Sequence, residues 1–413
     1  MAQKVVVTGL GATTPIGGDV PTTWEAALAG TSGVGHLNED WVEQYSLPVN
    51  IAARVAVPAS EVLSRAEIKR NDPSTQLALV SAREAWADAQ LEEAGIDHER
   101  LGVAYATGIG GVNTLLDAWD TLRDKGPRRV LPMTVPMLMP NAASGALSLA
   151  FGAKAAARTP VSACASGTEA LAVAQQMIRD GHADVVITGG CEAAIHPITI
   201  AAFSSMQALS RRNDDPQSAS RPYDVDRDGF VMGEGAGALI LESEEHAKAR
   251  GAKIYAELAG TGITADAFHI TAPDESGNGA MRALKATMAD GEFSPEDVVH
   301  VNAHATSTPV GDIPEYTAMR AAFGDALDNV AVSATKSMTG HLLGGAGAVE
   351  GVLTVLALHH GKAPVTINLD QQDPQIPLDV VTGTPRDLKP GVAVSNSFGF
   401  GGHNAVAAFR SYS

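Results

Sequence analysis

The chain has 413 residues, 45% of them apolar and 18% charged, with 42 glycines, which is the balance of an α/β enzyme and excludes a disordered or fibrous chain. Its 29 basic and 47 acidic residues give 29 − 47 = −18, a field that excludes nucleic acid and anionic lipid as default partners and requires local basic patches for any acidic one. Two cysteines exclude a disulfide framework, no apolar run approaches the roughly 18 residues of a membrane span, and Met1 leads into a strand pattern without a signal peptide, so a cytoplasmic location is expected.

Along the chain, short β-branched runs alternate with helical patterns: KVVVTGLG, the Ala-rich segment 75–90, LGVAYATG, GALSLAFG, ADVVITGG and GALILES. Such alternation predicts a layered α/β architecture with mainly parallel strands covered by helices. No Pro/Gly/Ser-rich linker divides the chain, yet VVVTGLGATTPIGGD is echoed by AELAGTGITADAFHI from Ala256. The echo suggests two related halves joined near residue 250. Segment 211–228 is the most polar stretch and reads as a loop.

The stretch VSACASGTEA places Cys164 at a strand-to-helix turn: Val161–Ala163 reads as a strand end, Ser166–Glu169 fits a capping box, and ALAVAQQMIRDG continues as a helix closed by Gly181. A free cysteine is ordinarily a small buried side chain, and Cys191 is read that way. At a helix start, however, unpaired N–H groups and the helix dipole favour thiolate, and the same N–H groups can receive an oxyanion. Cys164 is therefore the candidate nucleophile.

His300 and His304 have the i, i+4 spacing of a metal pair, but VVHVNAHA is a strand pattern in which four residues span roughly 13 Å, too far for one ion. No metal site is expected. His304 instead closes that strand beside a cleft, and His341 holds the matching place between VAVSAT and a Gly/Ala-rich helix. Two histidines at equivalent strand-to-loop positions suit a nucleophile-base constellation. Glu350 lies on an apolar helix where an unpaired carboxylate is costly, and Lys336 is its natural partner. In SNSFGFGGHN, glycines permit close backbone approach, which suits an N–H delivered to a developing oxyanion.

With Cys164 in SACASG, His304 in NAHATSTPVGD, Lys336 and His341 in TKSMTGHLLGGAG, and NSFGFGGHN near the end, the sequence resembles the β-ketoacyl-acyl carrier protein synthases, most closely their elongating synthase II branch. The resemblance runs from residue 4 to about 410. It implies a thiolase-like fold, two related βαβ halves in a five-layered α-β-α-β-α arrangement, with 1–252 carrying the nucleophile and 253–413 the two histidines, and a homodimer. It implies decarboxylative condensation of malonyl-acyl carrier protein with an acyl-Cys164 thioester, acyl carrier protein as partner, and no cofactor beyond the carrier's phosphopantetheine.

By the same resemblance, backbone N–H groups of Cys164 and Phe400 form the oxyanion hole, His304 and His341 hold the enolate, and Lys336, supported by Glu350, tunes His341. Thr306 and Thr308 bind the pantetheine arm, Phe230, Phe398 and Phe400 shape the malonyl pocket with Phe400 as gate, and Ile109 lines the acyl tunnel. Arg65, Lys69, Arg70, Arg128, Arg129, Arg211 and Arg212 are candidates for carrier docking. The sequence departs from the pattern at His403, where many members have Thr, and conservatively at Ser162. A thiolase needs a second catalytic cysteine in the C-terminal half, and none follows Cys191. A chain-initiating synthase has Asn in the place of His341, and a silent chain-length subunit usually lacks the active cysteine. A polyketide ketosynthase shares every catalytic residue and stays open as the alternative.

Overall fold

The computed structural model describes residues 3–412. The first strand, β1 (Val5–Thr13), is buried along its whole length. Its glycines have a packing reason: a Cβ on Gly11 would lie 1.9 Å from the Ser81 carbonyl oxygen, so helix α1 (Pro73–Asp88) rests directly on the strand backbone. Four further strands complete one half: β2 (Leu101–Ala106), β3 (Ala157–Arg158), β4 (Val185–Glu192) and β5 (Gly235–Ser243). Their order across the sheet is β1-β5-β4-β2-β3.

The second half repeats that order. Strands β6 (Ala256–Ala265), β7 (Val298–Asn302), β8 (Ala331–Ser333), β9 (Val392–Gly399) and β10 (His403–Ser411) run β6-β10-β9-β7-β8. First, last, fourth, second and third strands thus neighbour one another in both halves, and β1 and β6, the two echoed stretches, are equivalent. The halves meet where β1 and β6 pair antiparallel over Val6–Glu257 and Val7–Ala256.

The expectation of mainly parallel strands is corrected here. β2 pairs parallel with β3 and β4, and β7 with β8 and β9, but β5 and β10 run antiparallel to both of their neighbours. The reason for β10 is local: residues 400–402, with Gly401 and Gly402 at φ of 83° and 72°, make a tight hairpin that leaves no room for a crossover helix.

Helices α3 (Ser166–Arg179) and α6 (Ala346–His360) lie between the two half-sheets and touch both. Helices α1 and α2 (Ala142–Phe151), the latter containing GALSLAF with Gly152 as its C-cap, cover the outside of the first half. α4 (Asn278–Asp290) lies on the outside of the second half, with α5 (Asp312–Phe323) packed beside it. The arrangement is the five-layered α-β-α-β-α stack. The central core joins Leu171 and Ile178 of α3 to Val349, Val352 and Leu356 of α6. Segment 211–228 is irregular apart from the turn Pro216–Ser218, as its polarity suggests, but it is pinned by buried ion pairs, Arg221–Asp224 at 3.0 Å and Arg227–Asp373 at 2.9 Å. Among the described residues, no helix is long and apolar enough to cross a membrane.

Candidate active site

Cys164 sits in a tight turn, Ala163–Ala165, that runs straight into α3. Ala163 holds φ at +50°, an uncommon setting for a residue with a side chain, so the turn is strained at the nucleophile. The expected capping box at Ser166–Glu169 does not form, because the turn is already helical at Ala165 and leaves no extended N-cap residue. Ser166 instead staples the turn, donating to the Ala163 carbonyl at 2.6 Å and accepting from Ser162 N–H at 2.9 Å. Nor do Val161–Ala163 end a strand, since β3 stops at Arg158.

A Cβ on Gly399 would lie 2.7 Å from the Ser162 carbonyl oxygen and 3.1 Å from the Cys164 nitrogen, so the end of β9 presses against the cysteine turn. This contact brings the Phe400 N–H to the sulfur. Burial pushes the thiol up to about 11, against the pull of the Lys336 charge and of the N–H groups of Phe400 and Cys164 itself. The helix start alone does not yield a resting thiolate, as position had suggested, because desolvation outweighs it.

His304 follows β7 in a backbone pinned by a buried carboxylate. Its N–H donates to Glu315 Oε1 at 2.8 Å, the Ala305 N–H to Oε2 at 2.7 Å, and Asn396 Nδ2 to Oε1 at 3.0 Å. His341 is held by its own backbone, with its N–H donating to Val231 O at 2.8 Å and its carbonyl accepting from Gly233 N–H at 2.9 Å. The two rings face each other edge to face, 5.4 Å between centroids.

Lys336, buried at 1% exposure, donates from Nζ to Glu350 Oε1 and lies 3.4 Å from His304 Nδ1. Burial pushes the Glu350 carboxyl up to about 7, opposed by the neighbouring ammonium. Both histidines are held well below the ordinary imidazole value, first by burial and then by the Lys336 charge. They are therefore neutral rings. An ammonium facing His304 Nδ1 makes that nitrogen the acceptor and puts the ring N–H on Nε2. His341 Nδ1 is buried with no hydrogen-bond partner among the described residues.

Cys164, His304 and His341 line one cavity of about 620 Å³. Phe230 meets the His341 ring edge-on at 5.2 Å, Phe398 meets His304 at 5.8 Å, and Phe203 bridges Phe230 and Phe400 at 5.4 and 6.4 Å. Thr306 and Thr308, their hydroxyls 3.0 Å apart, and Ile109 line the same space. Arg65, Lys69 and Arg70 share an exposed short helix, Arg65–Arg70. Arg128, Arg129 and Arg211 are exposed and Arg212 half-buried, and none of these seven borders the cavity. Cys191 is buried with its sulfur 3.7 Å from Ala106 O, His300 bonds Ser333 at 3.0 Å inside the core, and His403 is exposed. Among the described residues, no cluster of three or more His, Cys, Asp or Glu is placed to hold a metal.

Sequence reasoning missed Glu315, Asn396 and Glu192. The last receives four hydrogen bonds beside the cavity wall. The available signal was Glu192 itself, an acidic residue closing the apolar run VVITGGCE.

Two family models match the chain: "Beta-ketoacyl synthase, N-terminal domain" over residues 2–247 and "Beta-ketoacyl synthase, C-terminal domain" over 255–370. Proteins named 3-oxoacyl-[acyl-carrier-protein] synthase 2 from Staphylococcus aureus strain N315 and from Synechocystis sp. are each 47% identical over 411 residues. These alignments span 99% of this chain and 99% and 98% of those relatives. Among solved structures, a β-ketoacyl synthase from Burkholderia phymatum superposes with a TM-score of 0.92 at 34% identity, covering both chains fully. A type II polyketide synthase acyl-carrier protein in complex with its ketosynthase, bound to a hexaketide, superposes with the same TM-score and full coverage at 33% identity.

Proposed function

Because this chain belongs to the β-ketoacyl synthase family, we propose that its cavity carries out the elongating condensation of type II fatty acid synthesis with the following division of labour. The observation that carries the reading is the meeting of one thiol from residues 1–252 with two buried imidazoles from residues 253–413 in a single cavity.

Cys164 Sγ attacks the thioester carbonyl of an acyl chain on acyl carrier protein, and the N–H groups of Cys164 and Phe400 hold the oxyanion. As the tetrahedral adduct collapses, the carrier's sulfur leaves and takes up the proton that Cys164 gave up. Malonyl-carrier then enters, which makes the order ping-pong. The bond to the carboxylate breaks, CO₂ departs, and the electron pair moves onto the thioester oxygen as an enolate. His304 Nε2–H and a ring N–H of His341 stabilise that oxygen where charge develops, each worth several kcal/mol, about the scale of an oxyanion-hole donor. The enolate carbon attacks the acyl-Cys164 carbonyl, the C–S bond breaks, Cys164 sulfur leaves as thiolate and takes a proton from solvent, and the β-ketoacyl chain leaves on the carrier, two carbons longer.

In this reading Lys336 tunes His341 through its charge and also fixes the His304 tautomer from 3.4 Å, and Glu350 holds Lys336. Thr306 and Thr308 bind the pantetheine arm, Phe230 and Phe398 shape the malonyl end, Phe400 gates it, and Ile109 borders the acyl chain. Arg65, Lys69, Arg70, Arg128, Arg129, Arg211 and Arg212 supply positive charge for an acidic carrier on an otherwise acidic enzyme. The enzyme calls on no metal or cofactor of its own and works in the cytoplasm. We take it as a homodimer, supported by the edge strand β3 and by exposed Trp119, Leu131, Val135 and Leu149. The polyketide alternative has the 33% identical ketosynthase behind it, and the 47% identical relatives favour the elongating synthase.

Intact mass spectrometry of wild type and Cys164→Ala, mixed with acyl-carrier proteins and then malonyl-carrier, tests the reading. We expect acylation of wild type alone and release of an extended β-keto product. No adduct with any straight-chain donor overturns it.

A further inference from the structure

The loop beside the acyl chain and the turn after His341 converge on a buried carboxylate that no step above uses. Glu192, the last residue of β4, is 0% exposed. Its Oε1 accepts from Thr107 Oγ1 at 2.9 Å and Ile109 N–H at 3.3 Å, and its Oε2 from Gly108 N–H at 2.8 Å and Gly344 N–H at 3.0 Å. Thr107 Oγ1 in turn accepts from Gly110 N–H at 3.0 Å, so three successive loop amides are tied to this group directly or through one hydroxyl.

The two backbones close around the carboxylate to a distance that only glycine allows. A Cβ on Gly344 would lie 2.1 Å from Gly108 N, and one on Gly108 would lie 2.7 Å from Glu192 Oε2. All four partners donate, so the ionised form is the one that satisfies them. Burial opposes that form and pushes the carboxyl up to about 7, and its charge also pushes the Cys164 thiol upward. Among the described residues, no cation pairs with Glu192, so its oxygens are spent wholly on the two loops.

We propose that Glu192 is a positioning residue that clamps the Ile109 loop to the Gly344 turn, so that one carboxylate sets both the fit of acyl chains beside Ile109 and the aim of His341. The inference rests on the elongating-synthase reading above.

The test compares wild type, Glu192→Gln, Thr107→Val and Thr107→Ser, with acylation rates for short, medium and long acyl-carrier proteins and, separately, CO₂ release from malonyl-carrier. Glu192→Gln turns an amide donor against loop N–H groups. We expect its long-to-short acylation ratio to change about tenfold and CO₂ release to fall about tenfold, the scale of one lost charge-assisted hydrogen bond. Thr107→Val should shift the ratio in the same direction by less, and Thr107→Ser should restore it. An unchanged ratio in a folded variant, or a fall equal for all chains, overturns the proposal. If Glu192→Gln does not fold, the Thr107 pair decides in the same way. Wild type that no donor acylates overturns the elongation reading instead, an outcome distinct from unchanged variants beside an active wild type.

Discussion

Lys336 is the residue on which the charge pattern of the cavity turns. It is buried, it satisfies Glu350, and it faces His304 Nδ1. Lys336→Met removes the group that fixes the His304 tautomer and strands a buried carboxyl. Enolate stabilisation should suffer more than thioester attack, whose oxyanion donors are backbone N–H groups. We expect CO₂ release from malonyl-carrier to fall about a hundredfold, the scale of one oxyanion-hole donor, while acylation of Cys164 stays within about tenfold. Equal losses in both half-reactions would contradict this division. Cys164, His304, Lys336 and His341 were legible because each breaks a local rule: a thiol at a helix start, imidazoles at strand ends, a charge among glycines. Glu315 was not, since on α5 it occupies a place where an exposed acid is ordinary, and only the fold turns it toward the His304 backbone.

Among the elements, α3 and α6 decide whether the cysteine turn and the histidine loop meet. They approach through small residues. A Cβ on Gly347 would lie 2.3 Å from Thr168 Oγ1 and 2.7 Å from Thr168 N, and one on Gly167 would lie 2.7 Å from Ala348 N. Gly347→Ala should therefore push the helices apart at a cost of about 1–3 kcal/mol, the usual price of overpacking, read as a lowered thermal midpoint together with slower acylation. A midpoint equal to wild type would show that the pair tolerates separation. Elements were legible where periodicity is long, as in α1 and α6, and illegible where tertiary pairing sets direction. Nothing local in GALILES tells that β5 runs antiparallel to β1 and β4. The Ser166–Glu169 box failed for a related reason: the motif names a cap, but the strained turn before it had already taken up helical geometry.

The buried titratable groups of the whole molecule make opposing contributions to its stability. His300 is held down to about 3, and His304 and His341 well below their ordinary value, by burial. Unfolded, each binds a proton below about 6.5, so they favour unfolding as pH falls beneath that value. Glu192, Asp312 and Glu350, held up to about 7 chiefly by burial, act in the other direction: between about 4.5 and 7 the folded form keeps protons that the unfolded form has lost. The two sets offset each other from about pH 6.5 down to 5. Below about 4.5 the second set falls silent, while Asp224 and Glu242, with folded values near 2, begin to favour the unfolded chain. The thermal midpoint should be nearly flat from pH 6.5 to 5 and drop steeply below 4.5. A steady decline beginning at 6.5 would mean that the buried carboxylates are ionised there.

The strand order also sets when chemistry can begin during synthesis. The nucleophile is at residue 164, but β10 lies between β9 and β6 inside the sheet, and the Phe400 N–H arrives only with the hairpin that forms it. At translation rates of about 5–20 residues per second, roughly ten to fifty seconds separate the emergence of Cys164 from that of residue 411. Until residues 346–360 and 392–399 have emerged, α3 lacks α6 and β9, so a ribosome-bound chain presents the buried face of α3 without an assembled oxyanion hole. The oxyanion hole is therefore complete only after the last strand of the sheet has been made.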